Sequence, residues 1–187
     1  MTAPAFPDHL LTIEEWEQLP RYEGFTVEVE EGVLRVSPRP ITFHQRIMRN
    51  LLIQLNAQLP DTLEPLGELE MEVVRRPRPT VRIPDVLVVD TAYADTNPKR
   101  IELRAVHLAI EVLSEGNVRH DRVTKFNEYA DHGIAQYWMV DPEAPVTLSA
   151  YVLAGSRYEL DGEWTGVAQL RCAGHPVHVD VAALAQR

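Results

Sequence analysis

Two short apolar segments each carry a carboxylate, and this feature limits how the chain can fold. The first, LAIEVL, runs from Leu108 to Leu113 with Glu111 inside it, and the second, PDVLVV, begins with Pro84 and Asp85. Apolar runs of this length predict buried strands. Because an isolated buried carboxylate is costly, each acid needs a partner.

Two acids on neighbouring strands repel each other unless a cation lies between them. Carboxylate oxygens are hard ligands, which suit Mg²⁺ or Mn²⁺ rather than Zn²⁺. Asp85 and Glu111 are therefore candidate metal ligands. The alternative is structural: Glu111 pairs with an arginine, or it lies at an exposed strand end. Spacing alone leaves both interpretations open.

Lys125 is one of two lysines in the chain. On a helix, Asp121, Lys125 and Tyr129 stand four residues apart and share a face. One interpretation is an ordinary surface pair of Asp121 with Lys125. The other is that the helix returns over the sheet and brings Lys125 to a cation held by Asp85 and Glu111. An ammonium there would orient a water molecule or stabilise developing negative charge.

Hydrophobic periodicity predicts the first elements of the chain. LTIEEWEQL indicates a short helix with Thr12 and Glu15 at capping-box spacing. TVEVEEGVLRVSP indicates a hairpin that turns at Glu31 and Gly32. ITFHQRIMRNLLIQLNAQL has the strongest helical pattern, and the spacing Thr42-x-x-Gln45 predicts a cap for it.

Strands and a second helix follow in the rest of the chain. We expect strands at about 66–74, 83–89 and 106–113, and a helix over about 118–132 that is capped by Asn117 and stopped by Gly133. AQYWMVD is a further strand, and the tail gives shorter strands with turns at Gly155 and Gly162. This order predicts a mixed sheet flanked by helices.

Composition places the chain among intracellular globular proteins. Its 187 residues predict one domain with a substantial core. No apolar run approaches the ~20 residues that span a bilayer, and MTAPAFPDHL does not read as a secretory signal. The single cysteine, Cys172, cannot form an internal disulfide. We therefore expect a cytoplasmic protein without a membrane partner.

Charge is unevenly distributed along the sequence. The net charge of −10 argues against a protein that coats nucleic acid, because phosphate contacts require Lys and Arg. A local basic patch can still bind DNA. The segment RRPRPTVR is a candidate for such a nucleic-acid-binding surface, or else a solvated loop between strands; its cations are Arg75, Arg76, Arg78 and Arg82.

Three segments together resemble a known family. RIPDVLVV, LAIEVLSEGNVRHDRVTKFNEYADHGIAQYWMVDP and VEVEEGVLRVSP are similar to the Uma2 family of the restriction-endonuclease-like PD-(D/E)xK nuclease superfamily. The likeness spans about residues 10–142. It implies an α/β (α+β) fold, in which a restriction-endonuclease-like mixed four-stranded sheet is flanked by α-helices. Extra strands over about 143–187 would complete a single domain of residues 1–187.

The resemblance also assigns residues. It implies that the PD acid is Asp85, that the acid of (D/E)xK is Glu111, and that an auxiliary acid of the first element is Glu28. The motif's lysine would stand two residues after Glu111, where this chain has Leu113. In this family the lysine has moved to the following helix, which maps it to Lys125.

Two further residues are given supporting roles. His44 matches a histidine often seen in the family; it either approaches the site or packs at the helix terminus. Asp121 is expected to hold Lys125 in place.

The resemblance implies a metal-dependent endonuclease that hydrolyses DNA by a metal-activated water. Asp85, Glu111 and the backbone carbonyl of Val112 would hold Mg²⁺ or Mn²⁺, and Lys125 would position the water. Such nucleases often dimerise, so a homodimer or higher homo-oligomer is expected. The alternative is a catalytically silent nuclease-fold protein that acts as an interaction or regulatory module. The acidic total charge favours this alternative, whereas the intact Asp, Glu and Lys set favours the enzyme.

Overall fold

The computed structural model describes residues 7–20, 22–39, 41–114 and 120–187, apart from the side chains of residues 120 and 121. None of the described helices is long and apolar enough to cross a membrane. In this part of the chain the elements are α1 (Ile13–Trp16), β1 (Phe25–Glu30), β2 (Val33–Pro38), α2 (Thr42–Asn56), β3 (Leu63–Gly67), β4 (Met71–Val74), β5 (Thr80–Arg82), β6 (Val86–Asp90), α3 (Thr91–Ala94), β7 (Ile101–Glu102), a 3₁₀ turn (Leu103–Ala105), β8 (Val106–Val112), a π-helical turn (His120–Lys125), α4 (Phe126–Asp131), β9 (Gln136–Asp141), β10 (Thr147–Ala154), β11 (Arg157–Trp164), β12 (Val167–Cys172) and β13 (His175–Asp180).

The described strands form two larger sheets and a separate hairpin. The five-stranded sheet has the order β2-β1-β5-β4-β7, and the six-stranded sheet has the order β11-β10-β9-β8-β6-β3. Among the described strands, β12 and β13 pair only with each other. The six-stranded sheet is mixed, because β8 runs parallel to β9 and antiparallel to β6. The expected α+β class with a mixed sheet and extra C-terminal strands is confirmed, with more strands than the four of the implied core.

Helix α2 is held between the six-stranded sheet and the C-terminal hairpin. Ile47, Leu51 and Leu55 recur every fourth residue, and all three are fully buried against side chains of β6 and β8. Apolar residues of β12 and β13 belong to the same cluster. Gln54 and Gln58 each exchange hydrogen bonds with the backbone of β13. The C-terminal strands therefore cover a helix that the sheet alone would leave half exposed.

The start of α2 differs from the sequence prediction. The residue at its N-cap is Ile41, which makes no side-chain capping bond. Thr42 already lies inside the first turn, and the backbone N–H of Gln45 donates to the Ile41 carbonyl. The predicted cap by Thr42 and Gln45 is therefore wrong.

The connection between β8 and β9 crosses back over the sheet, as a parallel pair requires. The π-helical turn and α4 lie in this connection, and α4 packs through Tyr129 and Ala130 onto the sheet face opposite α2. Gly133 ends the helix at φ +83°, and the N–H of Ile134 donates to the Tyr129 carbonyl. This confirms the predicted glycine stop. The predicted N-cap Asn117 lies outside the described residues.

The N-terminal predictions agree with the structure. Thr12 Oγ1 accepts the Glu15 N–H, and the Glu15 carboxylate accepts the Thr12 N–H, so the capping box is complete. The β1–β2 hairpin turns at Glu31 and Gly32, both at positive φ.

The predicted turn at Gly162 is wrong, because this residue lies inside β11 opposite Ala150, next to a register shift. A Cβ at position 162 would overlap the Trp164 ring, which explains a glycine within a strand.

The burial of α2 predicts unequal costs for two substitutions on this helix. Leu51→Ala should lower the free energy of unfolding by about 2–5 kcal/mol, since it leaves a cavity in the core. Ile53→Ala is the matched control; Ile53 is 60% exposed, and its loss should change stability by about 0.5 kcal/mol or less. Urea unfolding monitored by circular dichroism measures both. Equal losses would contradict the packing of α2 described above.

Candidate active site

Asp85 and Glu111 meet because of the register between β6 and β8. These strands are antiparallel, with Val86 opposite Ile110. Asp85 directly precedes β6 and Glu111 lies next to the last residue of β8, so the register brings both acids to the same end of this strand pair. The backbone N–H of Val112 donates to Asp85 Oδ2 at 2.6 Å, which fixes this carboxylate at the strand end.

Glu111 is buried and pairs with a cation from the crossover. Glu111 is 3% exposed, and Lys125 Nζ donates to its Oε1 at 2.8 Å. Tyr129, one turn further along the same helix, donates its hydroxyl to the same oxygen at 3.1 Å. Lys125 itself is 5% exposed, so the interpretation of Lys125 as a surface residue is wrong. The helix does return over the sheet and bring Lys125 to Glu111.

Glu28 reaches the same lysine from the other sheet. Strand β1 carries Glu28, whose Oε1 lies 3.3 Å from Lys125 Nζ and accepts the backbone N–H of Ile83 at 2.8 Å. Behind Glu28 lies Arg82, which is 0% exposed and makes two hydrogen bonds to Glu128 at 2.7 and 2.9 Å. Arg82 Nη1 also lies 3.4 Å from Glu28 Oε2. Charges of alternating sign therefore run from one sheet to the other.

His44 bridges two oxygens next to Asp85. Its Nε2 lies 3.1 Å from Asp85 Oδ2 and 3.0 Å from the Val112 carbonyl oxygen. A carbonyl oxygen can only accept, so Nε2 carries a hydrogen. Nδ1 is buried and has no hydrogen-bond partner among the described residues. The first turn of α2 thus places His44 against Asp85, just before β6, and against Val112, at the end of β8.

The surroundings shift the pKa values of these groups. Burial raises the pKa of Glu28, but the charges of Lys125 and Arg82 outweigh burial and hold it below its ordinary value. Burial lowers the pKa of His44, yet its contacts with Asp85 leave it raised overall. Burial and the nearby Glu111 charge raise the pKa of Tyr129 well above its usual range. Tyr129 is therefore a neutral donor to Glu111, and Glu28 is ionised.

A cavity of about 1050 Å³ opens in front of Asp85, Glu111 and Lys125. Glu28, His44 and Val112 also line it. The structure therefore brings six of the predicted site residues to one cavity. The side chain of Asp121, predicted to hold Lys125, lies outside the described residues.

The predicted basic segment does not line this cavity. Arg82 is buried in β5, so its place on a DNA-binding surface is corrected: its guanidinium neutralises Glu128 and Glu28. Arg78 is exposed in the preceding loop. Arg75 pairs with Glu72 at 2.8 Å, and Arg76 pairs with Glu14.

The cavity is also lined by residues that the sequence patterns did not suggest. Among the described residues, its remaining cations are Arg35, Arg39 and Arg122, which come from three separate positions along the chain. Acids outnumber the permanent cations in this described lining, six to four once Lys125 is counted. The six acids are Glu28, Glu68, Asp85, Glu111, Asp141 and Glu143. Helical spacing predicted that Tyr129 shares a face with Lys125 but not its hydrogen bond to Glu111, and Glu128 resembles any exposed helical acid.

No cluster of three or more His, Cys, Asp or Glu side chains in the described ranges has the arrangement of a metal site. The predicted ligand set differs in kind, because it combines two carboxylates with a backbone carbonyl. Two of its oxygens, Asp85 Oδ2 and the Val112 carbonyl, converge on the single N–H of His44.

Comparison with known proteins identifies the family. A protein from Anabaena variabilis ATCC 29413, described as "a putative nuclease belonging to DUF820", has a solved structure that superposes with a TM-score of 0.72. The two share 21% identity over 93% of this chain and 97% of the other, which establishes the likeness of fold. No curated protein matches the sequence. The family model of Uma2, described as "Putative restriction endonuclease", matches residues 13–167. The chain therefore belongs to the Uma2 family.

Proposed function

We propose that this protein is a metal-dependent endonuclease that hydrolyses phosphodiester bonds of DNA. The observation that carries the proposal is the meeting of Asp85, Glu111 and Lys125 at one cavity, where all three are largely buried. Buried charges that face a cavity are costly to maintain and are typical of functional sites. Membership in a family described as "Putative restriction endonuclease" supports a nuclease-like activity.

The oxygen donors present fit a hard divalent cation. Asp85, Glu111 and the Val112 carbonyl would hold Mg²⁺ or Mn²⁺, which prefer such ligands. When bound, such an ion lowers the pKa of a water molecule and polarises a phosphate. The excess of acids in the lining also favours a cation, because an unscreened phosphate would be repelled. His44 now uses two of these oxygens, so it must give up those hydrogen bonds when an ion binds.

Lys125 is the group that would act on the reacting atoms. Its ammonium would position the attacking water and stabilise negative charge as the P–O bond breaks. Glu111 and Glu28 hold this ammonium from two sides, and Tyr129 fixes the Glu111 carboxylate. Attack of water on phosphorus with cleavage of the P–O3′ bond would leave a 5′-phosphate on one fragment and a 3′-hydroxyl on the other. A homodimer would supply one such site for each strand of a duplex.

Two sets of arginines are proposed to contact DNA. Arg35, Arg39 and Arg122 line the cavity, where they would meet the phosphates next to the cleaved bond. Arg75, Arg76 and Arg78 are exposed in a loop and would meet the backbone further away. Arg82 is left out of both sets, because it is buried.

Replacing Glu111 and Lys125 in turn should separate metal binding from cleavage. Glu111→Ala should abolish both, because it removes a ligand. Lys125→Ala should bind Mn²⁺ as well as the wild type or better, because a nearby positive charge is lost. Its cleavage rate should fall by about 10²–10³-fold, the loss expected for one preorganised donor. Lys125→Arg should rescue poorly, since a planar guanidinium does not replace a compact ammonium. Calorimetric Mn²⁺ titration and plasmid nicking measure the two properties.

The other lysine provides a matched control. Lys99 is exposed and pairs with Glu17, so Lys99→Ala should leave both measurements unchanged. Circular dichroism melting of each variant checks that it is folded. Cleavage by Lys125→Ala at the wild-type rate would refute the role of this lysine. If the wild type nicks no DNA with Mg²⁺ or Mn²⁺, the protein is a silent nuclease-fold module instead.

Removing the His44 side chain should strengthen metal binding. His44→Ala frees Asp85 Oδ2 and the Val112 carbonyl from a competing donor, so the Mn²⁺ dissociation constant should fall. His132→Ala is the control, because His132 is an exposed histidine at the end of α4. The same calorimetric titration compares the variants. Weaker binding by His44→Ala would instead identify His44 as a ligand.

Salt dependence should reveal which arginines contact phosphates. Replacing Arg39 and Arg122 by Gln should reduce the magnitude of the slope of log affinity against log salt concentration by about 1.8. This is the change expected when two phosphate contacts are lost. Replacing Arg75 and Arg78 by Gln should have a similar effect if the loop also touches DNA. Fluorescence anisotropy with a labelled duplex at several salt concentrations gives the slopes. A pair that changes neither slope nor affinity makes no phosphate contact.

A further inference from the structure

Two apolar side chains at the start of α2 remain exposed where they line the cavity. Ile41 is 77% exposed and Phe43 is 38% exposed, and both belong to the cavity lining. Neither residue belongs to any of the three apolar clusters in the described part of the chain. Exposed apolar side chains in a cavity that also carries charged residues favour a ligand-binding surface.

The position of Phe43 on the helix explains why it is available. Phe43, Ile47, Leu51 and Leu55 stand four residues apart, and the last three are fully buried. Phe43 continues this row beyond the edge of the core, to the point where the cavity begins. Core packing therefore accounts for the other three residues and leaves Phe43 without a structural reason to be aromatic.

Cations line the same cavity as these apolar side chains. Arg39 stands two residues before Ile41, lines the same cavity, and is exposed. Within the described residues its guanidinium has no hydrogen-bond or ion-pair partner. Arg35, four residues earlier on β2, also lines the cavity, and its Nε donates to Glu30 Oε2 at 2.9 Å. An aromatic ring and an arginine without an ion-pair partner, both in one cavity, form a combination suited to single-stranded nucleic acid, because bases stack on the ring while cations hold the backbone.

We infer that Ile41 and Phe43 form a stacking surface for an unpaired base of a DNA strand whose phosphates contact Arg35 and Arg39. The inference rests on the proposed function and names its substrate class. An internal base of a duplex is covered on both faces by its neighbours, so it offers no face to a side chain. A base can stack on Phe43 only if it is single-stranded, terminal or flipped out of the helix. The substrate is therefore DNA with unpaired nucleotides beside the cleaved bond.

Binding of matched oligonucleotides tests this inference. The probes are a labelled 15-nucleotide single strand with 2-aminopurine at its centre and the blunt duplex of the same sequence, both in Ca²⁺ to neutralise the acidic lining. The wild type should bind the single strand more tightly, with quenching of the 2-aminopurine. Phe43→Ala should weaken that binding by about 5–150-fold, the contribution of one stacked base, and relieve the quenching. Phe43→Trp should preserve both.

Ile53→Ala is the matched control, because Ile53 is an exposed apolar residue of the same helix that does not line the cavity. It should leave binding of both probes unchanged. Equal affinity for single strand and duplex, or unchanged single-strand affinity in Phe43→Ala, would overturn the inference. If Phe43→Ala instead turns a dimer into a monomer in sedimentation without changing DNA affinity, the surface joins two copies of the chain.

The outcomes also separate this inference from the proposed function. If the wild type cleaves no DNA, yet Phe43→Ala loses single-strand binding and quenching, the stacking surface stands and the hydrolytic function fails. If the wild type cleaves duplex DNA and Phe43→Ala changes neither cleavage nor binding, the hydrolytic function stands and the stacking surface is refuted.

Discussion

The burial of the Glu111 carboxylate in β8 is the constraint on which the surrounding structure depends. A lone carboxylate in this apolar strand would be strongly destabilising, so Lys125 supplies a cation at 2.8 Å. Lys125 is itself buried and lies between Glu111 and Glu28. Glu28 lies against Arg82, which is in turn satisfied by Glu128. Each buried charge requires the next, and the series ends only at the edge of the folded core.

Sequence patterns predicted those buried charged residues that stand beside or within an apolar run, or that are of a residue type rare in this chain. Asp85 stands out because it directly precedes the apolar run VLVV, and Glu111 because it interrupts the apolar run LAIEVL. Lys125 stands out because the chain has so few lysines. The strands and helices around them could be predicted for the same reason, since their periodicity is local. The meeting of β6 with β8 is not local, and here the family resemblance supplied what spacing could not.

The partners that the sequence missed are separated along the chain or resemble ordinary surface residues. Arg82 and Glu128 are 46 residues apart, and neither carries a local sign of burial. The density of arginines around Arg82 suggested a surface, yet all three residues of β5 are buried. Charge density along a sequence does not distinguish a loop from the strand that follows it. The cations that do line the cavity gave no such signal, because they are dispersed: Arg35, Arg39 and Arg122.

The series of alternating charges has a consequence for how the molecule can move. Glu28 belongs to the five-stranded sheet, Glu111 belongs to the six-stranded sheet, and Lys125 contacts both. A hinge motion that opened the space between the sheets would have to separate Lys125 from one of these carboxylates. It would leave a buried charge without its partner. The floor of the cavity, formed by Glu28, Glu111 and Lys125, therefore holds the two sheets together. Breathing motions of the protein are expected to widen the rim of the cavity while its floor stays closed.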